Sequence, residues 1–321
     1  MKTKTLKRTP PPPGKSVGWG ELGKGIPWRV IWIFLMCVTA LAWQGDGADA
    51  RIGTPAASGS SAAKPVAGIT QVPPLSGRAA TNQARLREAI CESLDQVPLS
   101  AGVYMDPQGS GKTLRYRLFK PSPLDRAKSY PLAVCLHGGG AQRRFDGLLK
   151  CASPVFAFGP ARLVSPEEQA RHPAFVLVPW SGGRGWDEEN TRLIVALLDE
   201  LKRQYPIDHQ RVYVTGQSMG GYGTWAMIAR YPELFAAGIP VCGGGDTSSV
   251  SKAKDVAVWA FHGTADGIVP VGETRKMIDA LRQAGGHPIY WEYIDGTHAG
   301  TAERAYCEPG LLDWLFMQAK H

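Results

Sequence analysis

Cysteine is scarce in this sequence, with six residues in 321, and none of them forms a CxxC pair or a cluster with histidines. Zinc sites are usually built from such clusters, so no metal is expected. Cys135 and Cys242 lie in apolar runs typical of strands, where cysteine acts as a small buried hydrophobic residue. Any disulfide is therefore expected to involve Cys91, Cys151 or Cys307.

A basic run with interleaved aromatic residues is also lacking. The formal net charge is +8, but residues 1–50 contribute +4 of it, through seven Lys or Arg against three Asp or Glu. The other 271 residues carry the remaining +4 and are only mildly basic. We therefore expect no nucleic-acid partner.

The N-terminal apolar run, residues 30–42, falls short of the 20 or so residues that a membrane span usually needs. It follows a basic segment that ends at Arg29, and small residues suited to cleavage lie at 40–42, at its end, or at 48–50. This layout is typical of an export signal. Residues 1–50 are predicted to be a signal peptide, or else an uncleaved signal anchor that would tether the chain to a membrane.

The next segment, residues 51–80, is rich in Ala, Ser, Gly and Pro, which predicts a flexible linker over 51–85. A short helix over about 82–94 opens a predicted folded domain at 86–321. Apolar runs predict strands at 112–119, 131–136, 175–179, 211–215, 237–241, 256–261 and 288–294. Helical patterns fall at 190–205, 218–231, 271–284 and 310–319. This alternation predicts a mostly parallel sheet with helices on both faces.

A glycine-flanked serine stands between a predicted strand and a predicted helix. The segment 216–221 reads GQSMGG, the strand–turn–helix setting of a nucleophile elbow. Such a turn strains the serine and exposes its hydroxyl above the carboxyl edge of the sheet. Ser218 is therefore the predicted nucleophile, and the backbone N–H of Met219 is a predicted oxyanion donor.

A serine hydroxyl needs a base to take its proton, and a carboxylate to orient that base. Asp266 and His298 each follow a predicted strand, and they occur in the order acid then histidine after Ser218. They are the predicted acid and base, each in a loop past a strand end. The carboxyl ends of parallel strands meet at one edge, so the three should lie together.

Three other residues compete for these roles. Asp246 is expected to brace the site, Asp295 to shape a turn, and His262 to pack or hydrogen-bond beside Asp266. The remaining histidines are expected mostly in loops or at the surface: His137, His172, His209, His287 and His321.

The second oxyanion donor is sought in the segment 137–140, which reads HGGG directly after a predicted strand. A glycine run lets the backbone approach a reacting carbonyl closely. The donor paired with Met219 is expected to be Gly139 or Gly140.

The segment after strand 175–179 contains the candidate substrate contacts Trp180, Arg184 and Trp186. Either tryptophan would form an apolar wall, and Arg184 would meet a carboxylate or a sugar hydroxyl. In the alternative interpretation one tryptophan packs in the core and Arg184 is solvated.

Together the segments 130–140, 211–225, 240–246 and 261–266 resemble the α/β-hydrolases. The likeness covers residues 100–319 and is to the secreted esterase and predicted peptidase branch. That branch borders polyhydroxybutyrate depolymerases, feruloyl and acetylxylan esterases, and the prolyl-oligopeptidase-type catalytic domain. The resemblance implies the α/β-hydrolase fold, with Ser218, Asp266 and His298 as nucleophile, acid and base. One departure, Ala299-Gly300-Thr301 where relatives often carry Asn, a small residue and Trp, puts substrate preference in doubt.

The expected activity is hydrolysis of carboxylic esters, small or polymer-linked, without a cofactor. A serine peptidase acting on short peptides is the main alternative. A catalytically silent binding protein on the same scaffold is a further one, because a fold does not guarantee a function.

Overall fold

A computed structural model describes residues 69–94, 97–107, 111–139 and 154–320. The predicted export segment, the first part of the predicted linker, Gly140 and Cys151 lie outside the described residues, as does the side chain of Cys91. All described residues belong to one compact unit, Ser60–His321.

One nine-stranded sheet organises the described residues, in the order β1-β9-β8-β7-β6-β4-β5-β3-β2. Its strands are β1 (Thr70–Val72), β2 (Ser100–Met105), β3 (Thr113–Phe119), β4 (Tyr130–Leu136), β5 (Phe175–Trp180), β6 (Ile207–Gln217), β7 (Ala237–Val241), β8 (Ala257–Gly263) and β9 (Ile289–Tyr293). Only β2 with β3 and β3 with β5 pair antiparallel. The predicted mostly parallel sheet is confirmed.

Eight α-helices accompany this sheet within the same described ranges. They are α1 (Gly77–Leu94), α2 (Pro154–Val164), α3 (Pro166–Arg171), α4 (Glu188–Gln204), α5 (Met219–Arg230), α6 (Gly272–Gln283), α7 (His298–Tyr306) and α8 (Leu311–Met317). A short 3₁₀-helix covers Val250–Ala253. In this part of the chain no helix combines the length and the apolar character needed to cross a membrane.

The central strand β4 shows why helices cover both faces. All seven of its residues are buried, and successive side chains enter opposite cores. Leu132 and Val134 pack with α4, α5 and α6, whereas Ala133 and Cys135 pack with α2, α7 and α8. A strand that is apolar on both sides requires this three-layer arrangement.

The structure corrects the predicted linker boundary at residue 85. Residues 70–72 form β1, which pairs parallel with β9, and α1 begins at Gly77, five residues before its predicted start. The strand β1 is three residues long and mostly exposed, so no local apolar pattern marks it. Its stability comes from a partner more than 200 residues away in the chain.

Other elements also escaped the sequence patterns. The edge strand β2 and the helices α2, α3 and α7 were not predicted, and β6 begins at Ile207 rather than at 211. The helix α7 matters most, because its first residue is His298, which was expected in a loop.

Candidate active site

Ser218 occupies the turn between β6 and α5 with φ 56° and ψ −122°. This is a conformation that residues with a side chain rarely adopt, and it is typical of functional positions. A serine in front of a helix usually caps it by accepting a backbone N–H bond. The hydroxyl of Ser218 does not cap α5, so it stays available for another contact.

Two glycines let α5 begin between the ends of β4 and β7. A Cβ on Gly220 would lie 2.1 Å from the carbonyl oxygen of Leu136, and one on Gly221 would lie 2.5 Å from that of Val241. Any side chain would push the helix away from the sheet. The glycines therefore bring the positive end of the α5 dipole to the place where Ser218 sits.

His298 and Asp266 are hydrogen-bonded to each other. His298 Nδ1 lies 2.7 Å from Asp266 Oδ2, and the two side chains are 10% and 0% exposed. The other carboxylate oxygen, Oδ1, accepts the backbone N–H groups of Ile268 and Val269, each at 2.9 Å. The Nδ1–H of His298 therefore points at the carboxylate, which leaves Nε2 as the nitrogen that can take a proton.

Backbone bonds between two loops bring this pair together. The N–H of Thr264 donates to Tyr293 O at 3.0 Å, and that of Ala265 donates to Gly296 O at 3.1 Å. The N–H of Asp295 in turn donates to Thr264 Oγ1 at 2.9 Å. The loops after β8 and β9 are thus joined just before Asp266 and His298.

The carboxyl of Asp266 is held in its ionised form. Burial acts to raise its pKa, but hydrogen bonds from His262 and His298 and the N–H of Val269 outweigh burial and hold the pKa below its usual range. His262 packs and hydrogen-bonds beside Asp266, as expected: its Nε2 lies 2.9 Å from Val269 O and 3.2 Å from Asp266 Oδ2. Asp266 therefore keeps its negative charge beside His298 at neutral pH.

The competing acids lie elsewhere. Asp246 is exposed and accepts hydrogen bonds from the N–H and hydroxyl of Ser248, so it stabilises its own loop rather than bracing the site as expected. Asp295 has φ 56° and shapes the turn before α7, as expected.

The segment that begins the predicted oxyanion loop is locked by His137, which is buried rather than in a surface position. His137 Nε2 accepts the N–H of Ser181 at 3.2 Å, so Nδ1 carries the hydrogen and donates to Gly138 O at 2.9 Å. Trp186 donates its indole N–H to His137 O at 3.0 Å. Burial lowers the pKa of His137 to about 4, so the ring is neutral at neutral pH.

Strand register places the two predicted oxyanion donors at the same edge. Leu136 pairs with Gly216, so Gly139 and Met219 each lie three residues beyond a matched pair. Met219 is the first residue of α5, and Gly139 is exposed directly after β4. Their convergence on one oxyanion stays a prediction.

Known proteins resemble this chain in sequence and in structure. Residues 181–260, which include Ser218, match the prolyl oligopeptidase family. A solved structure of a thermostable esterase is 36% identical, with a TM-score of 0.64 over 72% of this chain and 64% of its own. This chain has the α/β-hydrolase fold.

Two curated relatives are also similar. A bifunctional acetylxylan esterase/xylanase of Neocallimastix patriciarum is 30% identical over 186 residues, 56% of this chain and 25% of that protein. A poly(3-hydroxyalkanoate) depolymerase C of Paucimonas lemoignei is 30% identical over 138 residues, 40% of this chain and 31% of that protein. The chain thus spans about a quarter to a third of the length of these two relatives.

The predicted substrate contacts of this chain fall into different environments. Trp186 is 7% exposed and packs on His137, with 4.8 Å between ring centroids. It is the tryptophan that the alternative interpretation placed in the core, because its N–H finds a buried carbonyl there. Arg184 binds Glu189 at 3.3 Å, while Trp180 stays partly exposed with the guanidinium of Arg115 at 5.5 Å from its ring centroid.

Asn190 stabilises the loop of the candidate substrate contacts, and its pattern in the sequence did not indicate this role. It is buried and donates its side-chain amide to the carbonyls of Ser181 and Gly185, at 3.0 and 2.6 Å. It therefore fixes the loop that contains Arg184. The available signal was an amide side chain in the first turn of a helix whose inner face is, apart from Thr191, otherwise apolar.

Three potential metal ligands meet beside the His298–Asp266 pair. The sulfur of Cys242, a ring nitrogen of His262 and a carboxylate oxygen of Asp266 lie within 4.8 Å of one another. Burial raises the pKa of the Cys242 thiol well above its usual value, and the thiol lies 3.8 Å from His298 O. A protonated thiol is a poor metal ligand, so these residues fit a hydrogen-bonded cluster better than a metal site.

Proposed function

We propose that this chain is a carboxylic ester hydrolase with Ser218 as nucleophile, His298 as base and Asp266 as acid. The observation that carries the proposal is the buried His298–Asp266 hydrogen bond, at the same edge of the sheet where Ser218 sits in a strained turn. Nucleophilic acyl transfer needs a strained serine whose hydroxyl is not used to cap a helix, and an oriented imidazole.

The reaction follows from these parts. His298 Nε2 takes the hydroxyl proton of Ser218 as the oxygen attacks the ester carbonyl, and the negative charge of Asp266 stabilises the imidazolium that forms. The N–H groups of Met219 and Gly139 stabilise the oxyanion. His298 then gives its proton to the leaving alcohol, and it activates a water that releases the acid from Ser218. These steps use only the named residues and a water.

The proposed substrates are esters of small molecules or of polymers. The similarity to an acetylxylan esterase/xylanase and to a polyhydroxyalkanoate depolymerase supports this class. Trp180 is the aromatic candidate for a substrate contact, because it is partly exposed at the carboxyl end of β5. Arg184 would bind a substrate acid only by exchanging it for Glu189.

A fluorophosphonate probe tests the nucleophile directly in the full chain. Covalent labelling and hydrolysis of p-nitrophenyl acetate are expected in the wild type, and both should be lost in Ser218→Ala. The loss in kcat is expected to be at least about 10⁴-fold, since the substitution removes the hydroxyl that would form the acyl-enzyme. Ser251→Ala is the matched control, because Ser251 is exposed and distant in sequence from the elbow.

Labelling that persists in Ser218→Ala would assign the activated serine to another position. A folded wild type that neither reacts with the probe nor cleaves esters would instead favour a catalytically silent binding protein. A panel of p-nitrophenyl esters of increasing acyl length would then define the acyl preference of an active enzyme.

A serine peptidase is the second candidate, because residues 181–260 match the prolyl oligopeptidase family. The same three residues would act, but His298 would protonate an amine instead of an alcohol. Peptidyl p-nitroanilides separate the two functions. Cleavage of acetate esters without cleavage of these amides supports the esterase.

We also propose that residues 1–50 direct export of the chain. The support is their basic segment, apolar run and small residues. N-terminal sequencing of the exported protein tests this: a start near residue 43 or 51 supports cleavage, and an intact Met1 in a membrane fraction supports an anchor.

A further inference from the structure

His262, next to last in β8, has a fully buried side chain with a polar neighbour at each ring nitrogen. Nε2 lies 2.9 Å from Val269 O and 3.2 Å from Asp266 Oδ2. Nδ1 lies 2.7 Å from Thr274 Oγ1. The ring therefore contacts the same carboxylate oxygen that receives His298 Nδ1.

These neighbours define which nitrogen carries hydrogen. The carbonyl of Val269 and the carboxylate of Asp266 only accept hydrogen bonds, so Nε2 of His262 must be the donor. Nδ1 faces the hydroxyl of Thr274, which donates its hydrogen to Gly243 O and therefore only accepts at its contact with the ring. The ring thus directs its Nε2–H at the carbonyl and at the carboxylate.

We infer that His262 is a positioning residue, whose Nε2–H holds the Asp266 carboxylate in place for His298. The inference rests on the proposed function. His262 does not contact Ser218 or a substrate; it acts through Asp266. Groups that orient a metal ligand from behind typically contribute about 10- to 100-fold, and we expect a comparable effect for an oriented carboxylate.

Helix α6 holds His262 in turn. The hydroxyl of Thr274 lies 2.5 Å from Gly243 O, after β7, so it bridges that strand end to His262. The adjacent Arg275 binds both carboxylate oxygens of Glu292, at 2.6 and 2.7 Å, and Glu292 is the β9 residue in register with His262. Two neighbouring residues of α6 therefore tie three strand ends together behind the site.

The ionisable groups around this cluster come from several elements. They are Asp266 in the loop after β8, Cys242 at the end of β7, Glu292 of β9 with Arg275 of α6, His298 of α7, and Tyr222 of α5. Arg275 neutralises Glu292, and the Cys242 thiol stays protonated. The negative charge that both His262 and His298 contact is therefore that of Asp266.

Two variants separate hydrogen bonding from packing. Glutamine can place an N–H near the position of Nε2, whereas asparagine reaches only the position of Nδ1. In His262→Asn, kcat/KM should fall about 100-fold, mostly through kcat, and His262→Gln should recover at least tenfold of that loss. His287→Gln, the same change at an exposed histidine, should leave kcat/KM unchanged.

The pH profile gives a readout that packing alone would not change. Without the N–H of residue 262, the full charge of Asp266 faces His298 and stabilises its protonated form. The acidic limb of kcat/KM should therefore move to higher pH by roughly half a unit to one unit in His262→Asn. In His262→Gln it should stay near its wild-type position.

Equal kcat/KM values and equal acidic limbs in the Gln and Asn variants of an active enzyme would overturn the inference. If the variants do not fold, ¹⁵N NMR of histidine-labelled Ser218→Ala decides, since a bare Nε2 on His262 refutes the inference and a hydrogen-bonded Nε2–H supports it. A wild type without probe labelling or esterase activity would refute the proposed function itself, which distinguishes the two failures.

Discussion

At the scale of single residues, the site is made by side chains whose usual hydrogen-bonding role is redirected. Ser218 stands where a serine would cap a helix, yet its hydroxyl does not cap α5. His298 opens α7, and its ring turns to Asp266. Backbone conformation decides the first case, because φ 56° at Ser218 directs the chain into the helix with the hydroxyl outside it.

His137 predicts a pH dependence of stability. Its pKa is about 4 in the folded chain because of burial, against about 6.5 for an exposed histidine. Between pH 6.5 and about pH 4, the unfolded chain therefore binds a proton at His137 that the folded chain does not bind. This neutral histidine costs no stability above pH 6.5, and stability falls as the pH drops from 6.5 toward 4.

The measurement is urea unfolding at pH 7 and at pH 5. The wild type should lose about 2 kcal/mol more than His137→Gln between these pH values, since glutamine does not titrate but can still accept the N–H of Ser181. Only the difference between the two pH values counts, because the substitution itself also changes stability. An equal loss in both proteins would show that His137 is protonated without cost.

At the scale of elements, α7 links fold and site. Thr297 caps this helix by accepting the N–H of Gly300 at 3.2 Å, and the next residue is His298. Removing the cap loosens the first turn, which contains the proposed base. A cap is thus a local stability device that also sets the position of an imidazole.

Thr297→Ala is expected to lower the free energy of unfolding by about 1 kcal/mol. It should also lower kcat about tenfold, because a small displacement of a catalytic group is costly. Ser165→Ala is the matched control, since Ser165 caps α3 near the amino end of β5, at the opposite edge of the sheet. It should reduce stability similarly and leave kcat unchanged, and equal kcat losses in both variants would contradict the proposed position effect.

At the scale of the whole molecule, the sheet continues to the N-terminal side of the predicted domain boundary. Ile294 N donates to Val72 O at 2.9 Å, and Arg304 donates to Pro73 O at 2.8 Å. The segment around β1 therefore contacts both β9 and α7, which flank His298. It belongs to the folded unit rather than to a linker.

This contact predicts different stabilities for two shortened chains. A chain that begins at residue 69 should keep the thermal midpoint of the full protein, whereas one that begins at 86 should unfold at least about 5 °C lower. The loss follows from the missing β1 pairing and the shortened α1. Thermal unfolding followed by circular dichroism measures it, and identical midpoints would return residues 69–85 to the role of a linker.

The sequence alone was sufficient for the parts with a local signal. Continuous apolar runs indicate the central strands, glycine-flanked Ser218 indicates a strand–turn–helix junction, and Asp266 and His298 are candidates because each follows a strand. These patterns are short-range, since a strand buried on both faces is apolar along its own length and a tight turn needs glycine at fixed positions.

Tertiary structure decided the rest. The strand β1 exists because β9 lies beside it, and Trp186 is buried because His137 offers it a carbonyl. His262 meets Asp266 because Thr274 of α6 holds the ring from the other side. A periodic pattern in the sequence does not reveal any of these partners. Burial and hydrogen bonding depend on what the folded chain brings into contact, so their consequences appear only once the distant partner is in place.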